Sequence, residues 1–331
     1  MSATIRDVAD AAGVSIATVS RALHGDPKVR PATAARVREA ASRLRYAPSP
    51  AAARLARRRA GHVTFLVHSA DVAGLGECLA ATSRELRRHD LDVLLDVVAD
   101  GDEAAAIERL RGRTDAVVLA PSGPVQHAAR LLGLGVPCVL LGRRADGVAS
   151  VRVDPEAVGE LAANHLLALG HRRVAVLAPL DAGAASPDAV ATAFERAAHA
   201  RDRDIDVQRL IPAYDGVEAA ERATAAVLSM PQPPTAIFAA TDHATTGAAR
   251  AFLRYGRMPG EQVALVGTGS ESLAADLGLT VVATPADEVG RGVGSLVAHL
   301  LDGGVGDEVA LAPQLVVRGS TWRPASSSVS A

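Results

Sequence analysis

The sequence is poor in aromatic residues. One tryptophan, three tyrosines and four phenylalanines make up 2% of its 331 residues, so a binding site built from several stacked rings is not expected. Cysteine is nearly absent too. Cys78 and Cys138 have apolar neighbours and no histidine or second cysteine at ligand spacing, which argues against a disulfide framework or a metal site. No apolar run reaches the ~18 residues that cross a bilayer. The opening Met1-Ser2-Ala3-Thr4-Ile5-Arg6-Asp7 carries no apolar signal core. A cytoplasmic protein with no membrane partner is the expectation. Lysine occurs once, at Lys28, so a preference for arginine at any one position is not read as functional. Catalytic signatures are missing as well: no GxxxxGK(S/T) phosphate loop, no GxSxG elbow and no HExxH pair. Gly267-Thr268-Gly269 is too short for a dinucleotide fingerprint, and His165 and His171 read as structural. Neither enzymatic activity nor a cofactor or metal is expected.

What is present is a strong asymmetry of charge. The formal net charge is −2, yet residues 1–60 hold twelve basic and four acidic side chains. A small basic module on a large acidic body points to a polyanionic partner for the N-terminus alone.

That module reads as three short helices. Thr4 and Asp7 have the spacing of a capping box, and Ile5, Val8, Ala9 and Ala12 recur at helical spacing. Gly13 suits the stop, because glycine reaches positive φ without a Cβ penalty. Ser15 suits the cap of a second helix with Val19, Ala22 and Leu23 inward. A third helix follows Pro31 with Val37, Ala40 and Leu44 inward, although Arg30 is a poor cap. The short glycine corner between the first two is that of a helix-turn-helix. The second helix then reads base edges from its N-terminal part. Arg21 has the reach for a bidentate contact to guanine, Ile16 and Ala17 offer apolar contacts, and Ser15, Thr18 and Ser20 suit phosphates. A plain three-helix bundle with a solvated arginine is the competing reading of the same residues.

The run Thr4-Ile5-Arg6-Asp7-Val8-Ala9, then Ala12-Gly13-Val14-Ser15-Ile16-Ala17-Thr18-Val19-Ser20-Arg21-Ala22-Leu23, resembles the headpiece of the LacI/GalR repressor family, and the match continues through Thr33 to Tyr46-Ala47-Pro48. The resemblance implies base reading by Ile16, Ala17 and Arg21. It implies backbone contacts near Thr4, Arg6, Ser15, Thr18, Ser20, His24, Lys28, Thr33 and Tyr46, with His24 standing where the family usually has asparagine. In the segment from Ser49 to Arg59 it implies a hinge helix that folds against the minor groove, with Ser49 and Ala52 at the DNA and Leu55 wedged into the central base step. Two copies on a pseudopalindromic double-stranded DNA operator follow from the same resemblance.

From residue 61 short apolar runs alternate with helical stretches. Strands are expected at 63–67, 93–98, 116–119, 138–141, 173–178, 236–240 and 263–266, and helices near 76–89, 102–111, 156–169, 188–201, 217–229, 242–255 and 287–300. This alternation implies parallel sheets covered on both faces. The stretch is similar to the two-lobed type I periplasmic-binding-protein fold that forms the family's effector domain. The expected organisation is a helix-turn-helix headpiece over 1–47, a hinge helix and linker over 48–60, and an effector-binding and dimerisation domain over 61–324. Its lobes are 61–158 plus 286–324, and 159–285. A tail over 325–331 has no apolar heptad and is expected to be disordered, which favours a homodimer over a tetramer.

The effector positions implied by the resemblance are Ser69, Asp71, Leu75, Asp154, Val190, Phe194, Thr241, Asp242 and Gly269. Several depart from the family pattern: Ser69 replaces an aspartate, Val190 an arginine, Thr241 an asparagine, and Gly269 stands near a lost carboxylate. Asp154 and Asp242 remain as cleft carboxylates or helix caps. The expected effector is therefore not a simple hexose. The alternatives are a regulator with a vestigial cleft and a solute-binding protein without a regulatory role.

Overall fold

The computed structural model describes residues 3–23, 26, 28–46, 60–68, 72–99, 102–120, 126–178, 187–212 and 216–322. The expectations at His24, Ser49, Ala52, Leu55, Ser69 and Asp71, the hinge helix and the C-terminal tail lie outside the described residues. The chain divides into two compact units, 1–60 and 61–331.

In the first unit, α1 (Ile5–Ala12), α2 (Ile16–Leu23) and α3 (Pro31–Arg43) surround one apolar cluster. The capping box forms as the spacing predicts. The Asp7 N–H donates to Thr4 Oγ1 at 3.3 Å, and the Thr4 N–H donates to Asp7 Oδ2 at 2.7 Å. The Thr4 N–H and the Thr4 hydroxyl both donate to the Asp7 carboxylate and hold it below its usual range. Gly13 closes α1 at φ 63°. The Thr18 N–H donates to Ser15 Oγ at 3.2 Å, which starts α2. Val8, Val19 and Val37 are fully buried at the centre. Arg30 precedes α3 without a side-chain cap bond.

The second unit contains two parallel-type sheets. The first runs β11-β5-β4-β3-β1-β2 and the second β12-β10-β9-β8-β6-β7. The first-lobe strands are β1 (His62–His68), β2 (Asp92–Val98), β3 (Ala116–Leu119), β4 (Cys138–Leu141), β5 (Ala149–Val153) and β11 (Glu308–Leu311). Those of the second lobe are β6 (Arg173–Leu177), β7 (Asp206–Leu210), β8 (Ala236–Ala239), β9 (Ala264–Gly269), β10 (Thr280–Ala283) and β12 (Gln314–Val316). The helices of the first lobe are α4 (Gly76–Arg87), α5 (Glu103–Leu110), α6 (Gln126–Gly133) and α12 (Ala286–Leu301). The second lobe has α7 (Pro155–Ala168), α8 (Pro187–Arg201), α9 (Val217–Leu228), α10 (Asp242–Arg254) and α11 (Glu271–Asp276). Four apolar clusters, one on each face of each sheet, make the core. Cys78 and Cys138 are buried in it as free thiols. Burial pushes them up to about 11 and about 12, so neither is a reactive thiolate.

The first five strands of each lobe repeat one order, with the switch between β1 and β3 in the first sheet and between β6 and β8 in the second. Ligand crevices form outside the carboxyl ends of strands at such points. The chain crosses between the lobes three times. It leaves the first sheet after β5, returns through α12 and β11, and crosses again to β12, which pairs antiparallel with β10. The expected lobe division needs two corrections. All of α7 packs in the second lobe, and so do β12 and the residues after it: Ser320 Oγ donates to the Leu265 carbonyl at 2.6 Å. The place of β12 follows from its pairing with β10, a strand far off in sequence, which no local pattern encodes.

Candidate nucleic-acid interface and ligand cleft

On the headpiece, burial sorts α2 into two faces. Val19 and Ala22 are buried, whereas Ile16, Ala17 and Arg21 are exposed together on one side. Ile16 is 42% exposed, an unusual position for an isoleucine in an eight-residue helix. Ser15 sits at the start of this face, and its hydroxyl lies 2.9 Å from that of Thr18. Thr4, Arg6 and Lys28 are exposed, and Ser20, Thr33 and Tyr46 are partly exposed. Tyr46 also packs against the headpiece core. The arrangement presents apolar atoms from the first turn of α2 and one guanidinium from its last turn, with cations and hydroxyls flanking them. Such a surface is suited to base edges and phosphates.

In the body, the residues expected at the effector site separate. Phe194 is fully buried and stacks on Phe238, with centroids 4.9 Å apart and planes at 20°. A ligand reaches that ring only by opening the second lobe, so the expectation of a contact at Phe194 is corrected to core packing. Leu75 is likewise enclosed in the first lobe's core. Val190 packs against the second lobe's cluster, and its carbonyl backs onto Gly159 of α7. Leu75, at the end of the turn Val72–Leu75, is buried, and Val190 is half-buried against its lobe's core, so both make core contacts at the positions where a ligand contact was expected. Asp154 accepts the Glu156 N–H at 3.1 Å and caps α7. Thr241 caps α10, accepting the Ala244 N–H at 2.9 Å.

Asp242 and Gly269 do come together, at the carboxyl ends of β8 and β9. A Cβ on Gly269 would overlap the Asp242 carboxylate. The region borders a hollow of about 250 Å³, open mouth included, with Asp242, Thr246, Thr268 and Ser270 among its polar lining and Ala274, Leu277 and Leu279 as its apolar wall. Sequence reasoning missed Gly74, Thr245 and Thr268 at this place. The signal available was Gly267-Thr268-Gly269 itself: two glycines in a strand mark a close approach of another element. Here that element is α10, whose Thr245 side chain fills the space over Gly267.

Residues 4–49 match the profile of bacterial regulatory proteins of the lacI family. Residues 163–321 match that of periplasmic binding protein-like domains. The HTH-type transcriptional regulator AglR of Rhizobium meliloti (strain 1021) is 30% identical over 284 residues, spanning 80% of this chain and 77% of its own length. The HTH-type transcriptional regulator RafR of Escherichia coli is 29% identical over 336 residues, with 97% and 96% covered. Among solved structures, the lac repressor dimer bound to operator and the anti-inducer ONPF has a TM-score of 0.78 at 23% identity, covering 97% of this chain and all of that one, and so shares the fold.

Proposed function

The chain belongs to the LacI family of bacterial regulatory proteins and is a DNA-binding transcriptional regulator, and from that premise we propose that it acts as a cytoplasmic homodimeric repressor. The observation that carries the reading is the exposed face of α2, where Ile16, Ala17 and Arg21 stand together on a basic module. Arg21 reads a base, and Ser15, Thr18, Ser20, Lys28 and Thr33 set the register on phosphates. Leu55 wedges the central step of a two-fold operator, flanked by Ser49 and Ala52.

Two headpieces on one operator require a dimer. The edge strand β2 leaves Leu94, Leu95 and Val97 exposed, between 43% and 49%. An apolar edge of this kind is a liability unless covered, and a second copy of the chain is the occupant that the operator symmetry supplies.

The effector in this reading is a small molecule held between the lobes, other than a simple neutral hexose. No polar side chain stands at Val190, which packs against the second lobe's core, or at Gly269, and each sugar hydroxyl buried without a partner costs about 1–3 kcal/mol. A ligand acts through its differential affinity for two lobe arrangements. The test is selection of DNA sequences on the full chain, followed by anisotropy titration with and without a monosaccharide and disaccharide panel. Enrichment of a two-fold site that Leu55→Ala binds more weakly supports the reading. Failure to enrich any sequence, or micromolar release by plain glucose, contradicts it.

A further inference from the structure

Asp242 is the first residue of α10, but it does not cap that helix, because Thr241 does. Its carboxylate serves another place. Oδ1 lies over Gly269, the last residue of β9, where a Cβ would overlap it. Gly269 also has φ 113°, a conformation in which a side chain is strained. Two independent demands therefore put glycine at this position.

The seat is braced from one turn away. Thr245 Oγ1 accepts the Thr268 N–H at 2.9 Å and stands 2.9 Å from the carbonyl oxygens of both Thr241 and Thr268. One buried hydroxyl thus ties the start of α10 to the end of β9, and the Asp242 backbone and the Gly269 backbone are held together. The second carboxylate oxygen faces the other lobe. A Cβ on Gly74 would lie 3.4 Å from Asp242 Oδ2. Gly74 belongs to the 3-10 turn Val72–Leu75, which leads from the carboxyl end of β1 into α4. Asp242 follows β8, beside the switch point of the second sheet. A carboxylate of the second lobe, itself exposed, therefore stands beside the Gly74 turn of the first.

We propose that Asp242 is the lobe-contact residue of the cleft: seated on Gly269, its carboxylate meets the turn at Gly74 and sets the spacing of the two lobes. The consequence for DNA binding rests on the regulator reading, whereas the contact itself does not. A carboxylate only accepts hydrogen bonds. The edge of an effector that reaches this point therefore carries O–H or N–H donors, and an anionic edge is repelled.

The test is hydrogen exchange on the full chain, comparing wild type with Asp242→Ala, Asp242→Asn, Gly269→Ala and the double variant Asp242→Ala/Gly269→Ala. Asp242→Ala and Gly269→Ala are each expected to raise exchange several-fold at amides 72–79, in the lobe that neither residue belongs to. The double variant is expected to exchange no faster than the faster single one, because both remove the same seated carboxylate. Asp242→Asn keeps the volume and guards against loss of folding. It is expected to preserve protection within α10 while loosening 72–79. Wild-type exchange at 72–79 in Asp242→Ala and Asp242→Asn overturns the proposal, and so does an additive double variant. A DNA arm separates the two readings. If wild type selects no DNA, the regulator reading fails while the exchange result still decides the contact. If it does select DNA, Asp242→Asn is expected to change operator affinity several-fold.

Discussion

His171 and Trp322 are joined across the second lobe: His171 Nε2 donates to the Trp322 carbonyl oxygen at 3.0 Å, while Nδ1 lies 3.1 Å from Thr235 Oγ1. Nearby, His165 Nε2 lies 2.9 Å from Thr321 Oγ1, which lies 3.0 Å from Thr280 Oγ1. Two histidines thus strap the segment after β12 onto the lobe. Burial holds both below the ordinary value of 6.5, and for His171 the nearby His165 and Arg172 act in the same direction against the Trp322 bond.

Stability therefore depends on pH in a definite sense. The folded chain binds these protons less readily than the unfolded chain, so the contribution is complete above pH 6.5 and is lost as pH falls below 6.5 through the lower folded values. Thermal unfolding followed through Trp322, the only tryptophan, is expected to show a midpoint that drops between pH 7 and pH 5.5. In His171→Gln this drop becomes shallower. An unchanged pH dependence in that variant contradicts the strap.

Phe194 separates a core role from a ligand role. Truncation to alanine removes a buried ring and its stack on Phe238, and is expected to destabilise the chain by about 3–5 kcal/mol. The check is denaturant unfolding. Near-wild-type stability with altered ligand response would restore Phe194 to the cleft.

The β2 edge makes a prediction about assembly. Leu95→Glu places a charge on the exposed apolar strand, at a side chain already 43% exposed in the folded chain. Sedimentation of the full chain is expected to show a dimer for wild type and a shift toward monomer for Leu95→Glu. A dimer of undiminished strength in the variant would place the interface elsewhere.

Local chemistry explains what was legible in the sequence. The headpiece could be read because its signals are local: the Thr4–Asp7 box, Gly13, the Ser15 cap and the i, i+3, i+4 apolar spacing are all realised. The seven strands expected in the body form within a few residues of their expected bounds. The missed strands include Ala149–Val153 and Thr280–Ala283, which lie inside the sheets, as well as strands toward the edges. Glu308–Leu311 and Gln314–Val316 have mixed patterns that pairing with β5 and β10 makes into strands, and Asp206–Leu210 is a half-exposed edge strand. The helix at Glu271–Asp276 is too short for periodicity to stand out, whereas Gln126–Gly133 is as long as α1 and α2 and was passed over. At the cleft, Asp242 and Gly269 were legible as candidates. That the carboxylate of one fills the side-chain space of the other was not, because a contact across 27 positions is set by the sheet and leaves no local trace.

The most direct test of the account compares the full chain with a variant lacking residues 1–60, by anisotropy on the selected operator across a salt series. The account predicts that the full chain binds with log affinity falling linearly in log salt, by about 0.9 per phosphate neutralised. It predicts that the truncated body does not bind at any salt, and that Arg21→Ala loses about 1–3 kcal/mol of preference for the operator over unrelated DNA. Operator binding retained by the truncated body, or sequence preference unchanged in Arg21→Ala, would contradict it.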